Sequence, residues 1–291
     1  MKIKRTPGEV VFDIFNVILI FILMILWVYP LWYTTIASFS DVNAVAMGKV
    51  VLYPQGFNLS AYKMVLDTKN IWTSYGNTIF YSFFGTALSM FLMSTGGYVL
   101  SKRHIYGHRF LTWFCLLSMW FGAGFMPTYL NYKNLHILNT RFAVLLTGAV
   151  SAFYTILLRT YFESVPAELE ESAKLDGAGD IYIFKNIYLP LSVPALMTVT
   201  LYCFVGRWNA YFWTMLIVTD ESKISLQVLL KRLVVEMNMV YSQAGDIDFQ
   251  QTSRETMTYA TMVIAVLPML VLYPFVQKYF VKGIMVGAIK G

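Results

Sequence analysis

Two groups of residues in this 291-residue sequence have types and spacing suited to chemistry, and in both the chemistry is binding. The first is Arg207, Trp208, Asn209 and Tyr211, set inside an apolar run. A cation at mid-depth of a bilayer costs about 3 kcal/mol on insertion scales, so it faces a partner or a watery cavity. Nearer the outer interface, the same Arg and Trp are ordinary anchors, and the sequence leaves both readings open. The second group is the acidic stretch 163–190, ESVPAELEESAKLDGAGDIYIFKNIYLP, with Glu170, Glu171, Ser172, Ala173, Leu175, Asp176 and Gly177 at its centre. Nothing here suits catalysis. There is no GxxxxGK[ST] phosphate loop, nucleophile elbow or metal cluster with ligand spacing. His104 and His108 are four apart, but no glutamate follows the first, as a zinc-protease motif requires.

The acidic stretch lies between two long apolar runs. Pro166 suits the first turn of a helix, Glu168, Glu170 and Glu171 favour its positive N-terminal end, and Gly177 supplies a stop. Leu169, Ala173 and Asp176 fall on one face at helical spacing, a narrow ridge between acidic flanks. Asp180 caps a second helix running toward Pro190. A helix of about ten residues is unstable alone in water, so this one must be braced by its flanks and by something it docks into.

The remaining chain supplies the flanks. Apolar residues make up 57% and charged residues 13%, and several runs reach the roughly 20 residues needed to cross a bilayer. The expected fold class is all-α, a polytopic membrane protein with six spans in a single domain, 1–291. The spans are placed at about 14–39, 76–100, 110–130, 142–162, 191–218 and 258–281, with Pro30 bending the first. Small residues at Gly85 and Ser89, at Gly96 and Gly97, and at Gly148 and Ala152 allow close helix approach, although glycine is also simply tolerated in membrane helices. Cys115 and Cys203 read as packing residues.

The short segments 1–11, 101–109, 159–188 and 278–291 hold more than half of the 22 lysines and arginines, which places them and both termini inside. The segments 40–75 and 219–257 then lie outside. The net charge of +6 follows from this topology and not from nucleic-acid binding. Proton- or sodium-coupled carriers usually place ionisable groups near the midplane, and no carboxylate stands inside a span here. Whatever drives movement acts from outside the bilayer.

Glu171, Ser172, Ala173, Gly177, Ile187, Leu189 and Pro190 fall at the offsets of an "EAA" signature, with serine for the first alanine. This resembles the permease subunit of binding-protein-dependent ATP-binding-cassette (ABC) importers, the type I fold. ELEESAKLDGAGDIYIFKNIYLPLSVPAL resembles the carbohydrate branch, the relatives of the maltose permeases. WNAYFW and YPFVQKYFVKGIMVGAIKG resemble the subgroup importing oligosaccharides, including aldouronate and alginate fragments.

The resemblance implies that the acidic helix is a cytoplasmic coupling helix seated in a cleft of a separate ATPase subunit. Glu171 would meet a basic group there, and Gly177 would permit the elbow to the next short helix. ATP and Mg would be bound and hydrolysed on two such partner subunits, with no cofactor in this chain. A homologous second permease and an extracytoplasmic solute-binding protein complete the expected assembly in a bacterial inner membrane. The outer segment after the fifth span would reach toward the binding protein's sugar pocket. For sugar contact the residue chemistry points to Trp208, Asn209 and Tyr211, since an aromatic face with an amide is what a sugar ring and its hydroxyls require, and Arg207 suits a uronate carboxylate. An ABC permease for a non-sugar solute and a secondary carrier working without ATP are the alternatives.

Overall fold

A computed structural model describes residues 6–67, 69–241, 255–271 and 274, and among these the regular structure is helix with no strand. The chain divides into two compact units, 1–68 with 232–266 and 69–231 with 267–291.

In the first unit, α1 (Pro7–Ser38) starts earlier than the apolar run alone indicates. A capping box explains the extension: the Thr6 side chain accepts from the Glu9 amide while the Thr6 amide donates to Glu9, and Pro7 occupies the first turn. The helix continues through Pro30. Its first two dozen residues are largely exposed apolar side chains, and burial begins only at Ile36 and Ala37. There the outer segment folds back as two short helices, α2 (Val42–Ala46) and α3 (Ser60–Asp67). Asp41 caps α2, Trp32 Nε1 donates to the Leu52 carbonyl at 2.8 Å, and the Phe39 and Tyr62 rings stack at 4.8 Å. Ile36, Ala37, Val45 and Val50 form the small core of this unit, with Tyr259 of the Glu255–Val271 helix packed on it. The sixth expected span begins in that helix, and 272–273 and 275–281 lie outside the described residues.

The second unit is organised on α4 (Lys69–Ser101), a continuous helix covering the second expected span. The third span is not one helix. It is α5 (His108–Trp120) and α6 (Phe125–Asn134), bent by 115° at 121–124, where Gly124 takes a left-handed φ of 76°. The fourth is likewise split, into α7 (Arg141–Leu146) and α8 (Ala152–Glu163). Gly148, at φ 63°, lies in that break with open space around it, so it serves a turn and not a helix contact. Apolar length cannot locate such breaks, because the flanking glycines read equally well as small residues in a continuous helix.

The acidic stretch forms α9 (Ala167–Leu175), α10 (Asp180–Ile183), a π-helical turn at Phe184–Tyr188 and α11 (Leu189–Leu191). Pro166 is the cap residue of α9, one position earlier than expected, and Asp180 is the first residue of α10, whose cap is Gly179. After an 82° bend at Ser192 the chain continues as α12 (Val193–Trp208), and after a break at 209–211 as α13 (Phe212–Ile217). A short 3-10 turn (Glu221–Lys223) leads into α14 (Leu226–Tyr241). The remainder of the long outer segment, 242–254, lies outside the described residues.

α4 packs along α8 and α12, and Met93, Leu158, Phe162, Ile183, Tyr188 and Val199 are buried where they meet. The approach is closest at Gly97, where an added Cβ would lie 3.0 Å from the Thr155 carbonyl oxygen and 3.2 Å from the Arg159 amide. The small pair Gly96 and Gly97 therefore does bring backbones together. At its other end α4 staples the segment after α13. Asn77 Nδ2 donates to the carbonyls of Ser222 and Ile224 at 2.8 and 3.0 Å, and Tyr81 Oη donates to that of Lys223 at 2.7 Å. Arg141 holds Asn77 in place, donating to its Oδ1 at 3.0 Å. Asn139, at φ 59°, accepts from the amides of Thr219 and Asp220.

Gly97→Ala is expected to lower stability by about 1–3 kcal/mol, the usual cost of overpacking. Gly76→Ala, on the same helix with open space around it, should melt close to the parent protein. Thermal unfolding of the two purified variants checks the difference.

Candidate functional site

Two places in the second unit gather the expected residues. The first is the outer surface of the acidic stretch. α9 ends as the sequence requires: Gly177 is left-handed at φ 83°, its amide donates to the Lys174 carbonyl at 3.0 Å, and the Ala178 amide donates to that of Ala173 at 2.9 Å. This is a Schellman closure, and the C3 and C″ residues Ala173 and Ala178 both pack on the core below.

The ridge of Leu169, Ala173 and Asp176 is divided between the two sides of α9. Ala173 faces inward, but Leu169 and Asp176 are exposed, and the second inward residue is Glu170. Its carboxylate is gripped from three sides. Lys102, just beyond α4 and only 8% exposed, forms an ion pair with Oε2. Tyr188 Oη donates to the same oxygen at 2.6 Å, and Lys174 Nζ donates to Oε1 at 2.7 Å. Lys102 Nζ also donates to Tyr188 Oη at 2.8 Å and lies 4.5 and 4.0 Å from the ring centroids of Tyr98 and Tyr188. Burial alone would raise the Glu170 pKa, but the hydrogen bonds from Lys102, Lys174 and Tyr188 outweigh it and hold the carboxyl at about 2. Burial pulls the Lys102 ammonium below its ordinary value, and Glu170 opposes that pull.

Glu170 therefore anchors α9 to α4, while its neighbour Glu171 is exposed. Around Glu171 the surface is apolar as well as acidic: Leu175, Ile181 and Tyr182 are 90%, 84% and 60% exposed. Acidic and apolar side chains are therefore exposed together on this side of the segment. Ser172, Asp176 and Gly177 share that exposed side. Sequence reasoning missed Lys102, which stood out only as one of several basic residues marking an inner loop. It also missed Tyr188, one tyrosine among 20.

The second place is a cavity of about 320 Å³ between α4, α12 and the α7 to α8 break. Arg207 lines it. The other three expected residues do not: Trp208 points about 100° away from Arg207 on the helix, and Asn209 and Tyr211 lie in the break that follows it. Trp208 is buried against the rings of Tyr75 and Phe204. The exposed Asn209 turns its amide back to the Val205 carbonyl, and Tyr211 is 40% exposed with Lys231 over its ring. Cys203, expected only to pack, also lines the cavity, as do Tyr154, Tyr202 and Trp213.

A helical chain with apolar lengths fit to cross a membrane, a braced acidic helix with an exposed outer side and a cavity holding one arginine among its helices is the architecture of a membrane-embedded protein that binds and not one that catalyses. Comparison with known proteins makes this specific. Residues 110–286 match the family described as binding-protein-dependent transport system inner membrane component. The polygalacturonan/rhamnogalacturonan transport system permease protein YtcP of Bacillus subtilis (strain 168) is 38% identical, over 93% of this chain and 96% of its own length. Protein LplC of the same strain is 36% identical, over 99% and 97%. Among solved structures, a chain in the crystal structure of a bacterial ABC transporter involved in the import of the acidic polysaccharide alginate is 40% identical. It superposes with a TM-score of 0.88, over 96% of this chain and all of that one. The chain belongs to the family of binding-protein-dependent transport system inner membrane components, and it is a permease of an ABC transporter.

The Glu170 anchor carries a pH signature. Its carboxyl is held below its ordinary value of 4.5, so its contribution to stability is complete above about pH 4.5 and is lost as pH falls toward 2. Glu170→Gln should cost about 2 kcal/mol at neutral pH, the worth of hydrogen bonds to a charged group, and should flatten the acid limb of a melting-temperature profile.

Proposed function

We propose that this chain, acting as one permease domain, receives an oligosaccharide from a solute-binding protein and passes it into the cytoplasm by alternating access. ATP with its Mg is bound and hydrolysed on two separate ATPase subunits. A homologous permease completes the transmembrane path, and both termini lie on the cytoplasmic side of the bacterial inner membrane. The observation that carries this reading is the acidic and apolar face of α9 and α10, held outward on a buried ion pair in a chain of this family. Fragments of acidic polysaccharides are the favoured cargo, because a polygalacturonan/rhamnogalacturonan permease and the permease of an alginate importer are both similar along nearly the whole chain.

The mechanism follows from the braced helix. When the ATPase pair closes on ATP it carries α9 with it. Because Glu170 ties α9 to Lys102 at the end of α4, that displacement reaches the helix on which α8 and α12 pack. ATP shifts the inward and outward states only as far as the closed ATPase pair fits one of them better. Hydrolysis resets the pair. The two glutamates then divide the work: Glu171 contacts the ATPase, and Glu170 transmits.

Proteoliposomes holding the complete complex, supplied with binding protein and a panel of neutral and uronic oligosaccharides, test the reading. Uptake should require the ATPase subunits and ATP; uptake that persists without the ATPase would establish a secondary carrier instead. Glu171→Lys should weaken ATPase binding about tenfold, or 1.4 kcal/mol, with the chain still inserting. Glu170→Gln should leave that binding nearly intact but lower the uptake obtained per ATP hydrolysed.

A further inference from the structure

Arg207 is held in an unusual way. Its guanidinium lies flat on α4 at Gly85, where an added Cβ would come within 2.6 Å of Cζ. Nη2 donates to Ser89 Oγ at 2.9 Å and to the Leu145 carbonyl at 3.2 Å. Both acceptors are neutral, and among the described residues no carboxylate pairs with it and neither Nε nor Nη1 has an acceptor. A cation withdrawn from water into a protein interior normally has a counter-charge, because desolvation without one is costly. Among the described residues, Arg207 is given orientation without neutralisation.

The surroundings suit an anionic, hydroxyl-rich guest. The cavity, at the lower end of the roughly 300–1,000 Å³ of small-molecule sites, is walled mostly by apolar and aromatic side chains, Trp213 among them, with Ser89, Thr147, Ser151 and Ser225 as its small hydroxyl residues. Ser225 Oγ is buried and has no hydrogen-bond partner among the described residues. The same holds for Ser82 and Thr86, which flank Gly85 on α4. A carboxylate matches the planar fork of a guanidinium through two parallel hydrogen bonds, a fit that a sugar hydroxyl cannot provide.

We propose that Arg207, laid across Gly85 and aimed by Ser89 and the Leu145 carbonyl, is a carboxylate-reading subsite through which this permease selects uronate units as they pass. This rests on the reading of the chain as an oligosaccharide permease. Gly85 and Ser89 are positioning residues: one gives the side chain room and the other fixes its roll.

The test is equilibrium binding of trigalacturonate and of its methyl ester to the purified complex without binding protein, with melting temperature recorded for each variant. The parent complex is expected to bind the acid at least tenfold more tightly than the ester. Arg207→Gln should remove this preference by weakening the acid alone, and Arg207→Lys should restore part of it. Gly85→Ala, which keeps the charge but displaces it, should reduce the preference while leaving ester binding unchanged. Equal weakening of acid and ester by Arg207→Gln would make the residue a strut between helices, and an unchanged preference would place recognition elsewhere; either result overturns the proposal. Uptake into proteoliposomes separates the two levels. A complex that imports no oligosaccharide removes the functional reading, whereas uptake with an acid-to-ester ratio unmoved by Arg207→Gln removes only this subsite.

Discussion

The ion pair between Lys102 and Glu170 is the constraint on which the α9 end of the second unit depends. A nine-residue helix that contributes little more than Ala173 and the neighbouring Val165 and Ala178 to a core cannot hold itself in place. A carboxylate that accepts from two ammonium groups and a phenol can hold it, because breaking the pair would leave an uncompensated charge under the Tyr98 and Tyr188 rings. The arrangement also fixes rotation about the helix axis. With Glu170 turned in, the adjacent Glu171 must turn out, and Leu175 with it.

How much of this was legible in the sequence depends on whether the signal was local. Helix class, the stop at Gly177 and the existence of two short helices follow from turn chemistry within a few residues, and the structure has them. Which face of α9 turns inward was not legible, because spacing picks out the ridge of Leu169, Ala173 and Asp176 and says nothing of a carboxylate whose partner lies 68 residues away. Nothing near Lys102 in the chain indicates that it is buried. The broken third and fourth spans were missed for a related reason: Gly124 and Gly148 take left-handed backbone angles, and sequence cannot tell that use of glycine from close packing.

The cavity residues divide in the same way. The cluster from Arg207 to Tyr211 was visible as a polar interruption of an apolar run, but the helix ends inside it at Trp208 and sends its members in different directions. Of Arg207, Trp208, Asn209 and Tyr211 only Arg207 reaches the cavity, and what fixes it there is a glycine and a serine on α4, about 120 positions earlier in the chain. Gly85 and Ser89 had been singled out as a site of helix contact. Their spacing was informative, but the space they leave is filled by a side chain instead of a backbone.

The π-helical turn at Phe184–Tyr188 has a geometric consequence for the anchor. A π turn takes one more residue than an α turn to close, so everything after it is wound back by roughly 100° relative to an unbroken α-helix. Tyr188 is the last residue of that turn, and its phenol reaches Glu170 from there. The extra residue thus works as a phase adjuster inside the segment: it sets the azimuth at which Tyr188 is presented relative to Asp180–Ile183, before the bend at Ser192 redirects the chain into α12.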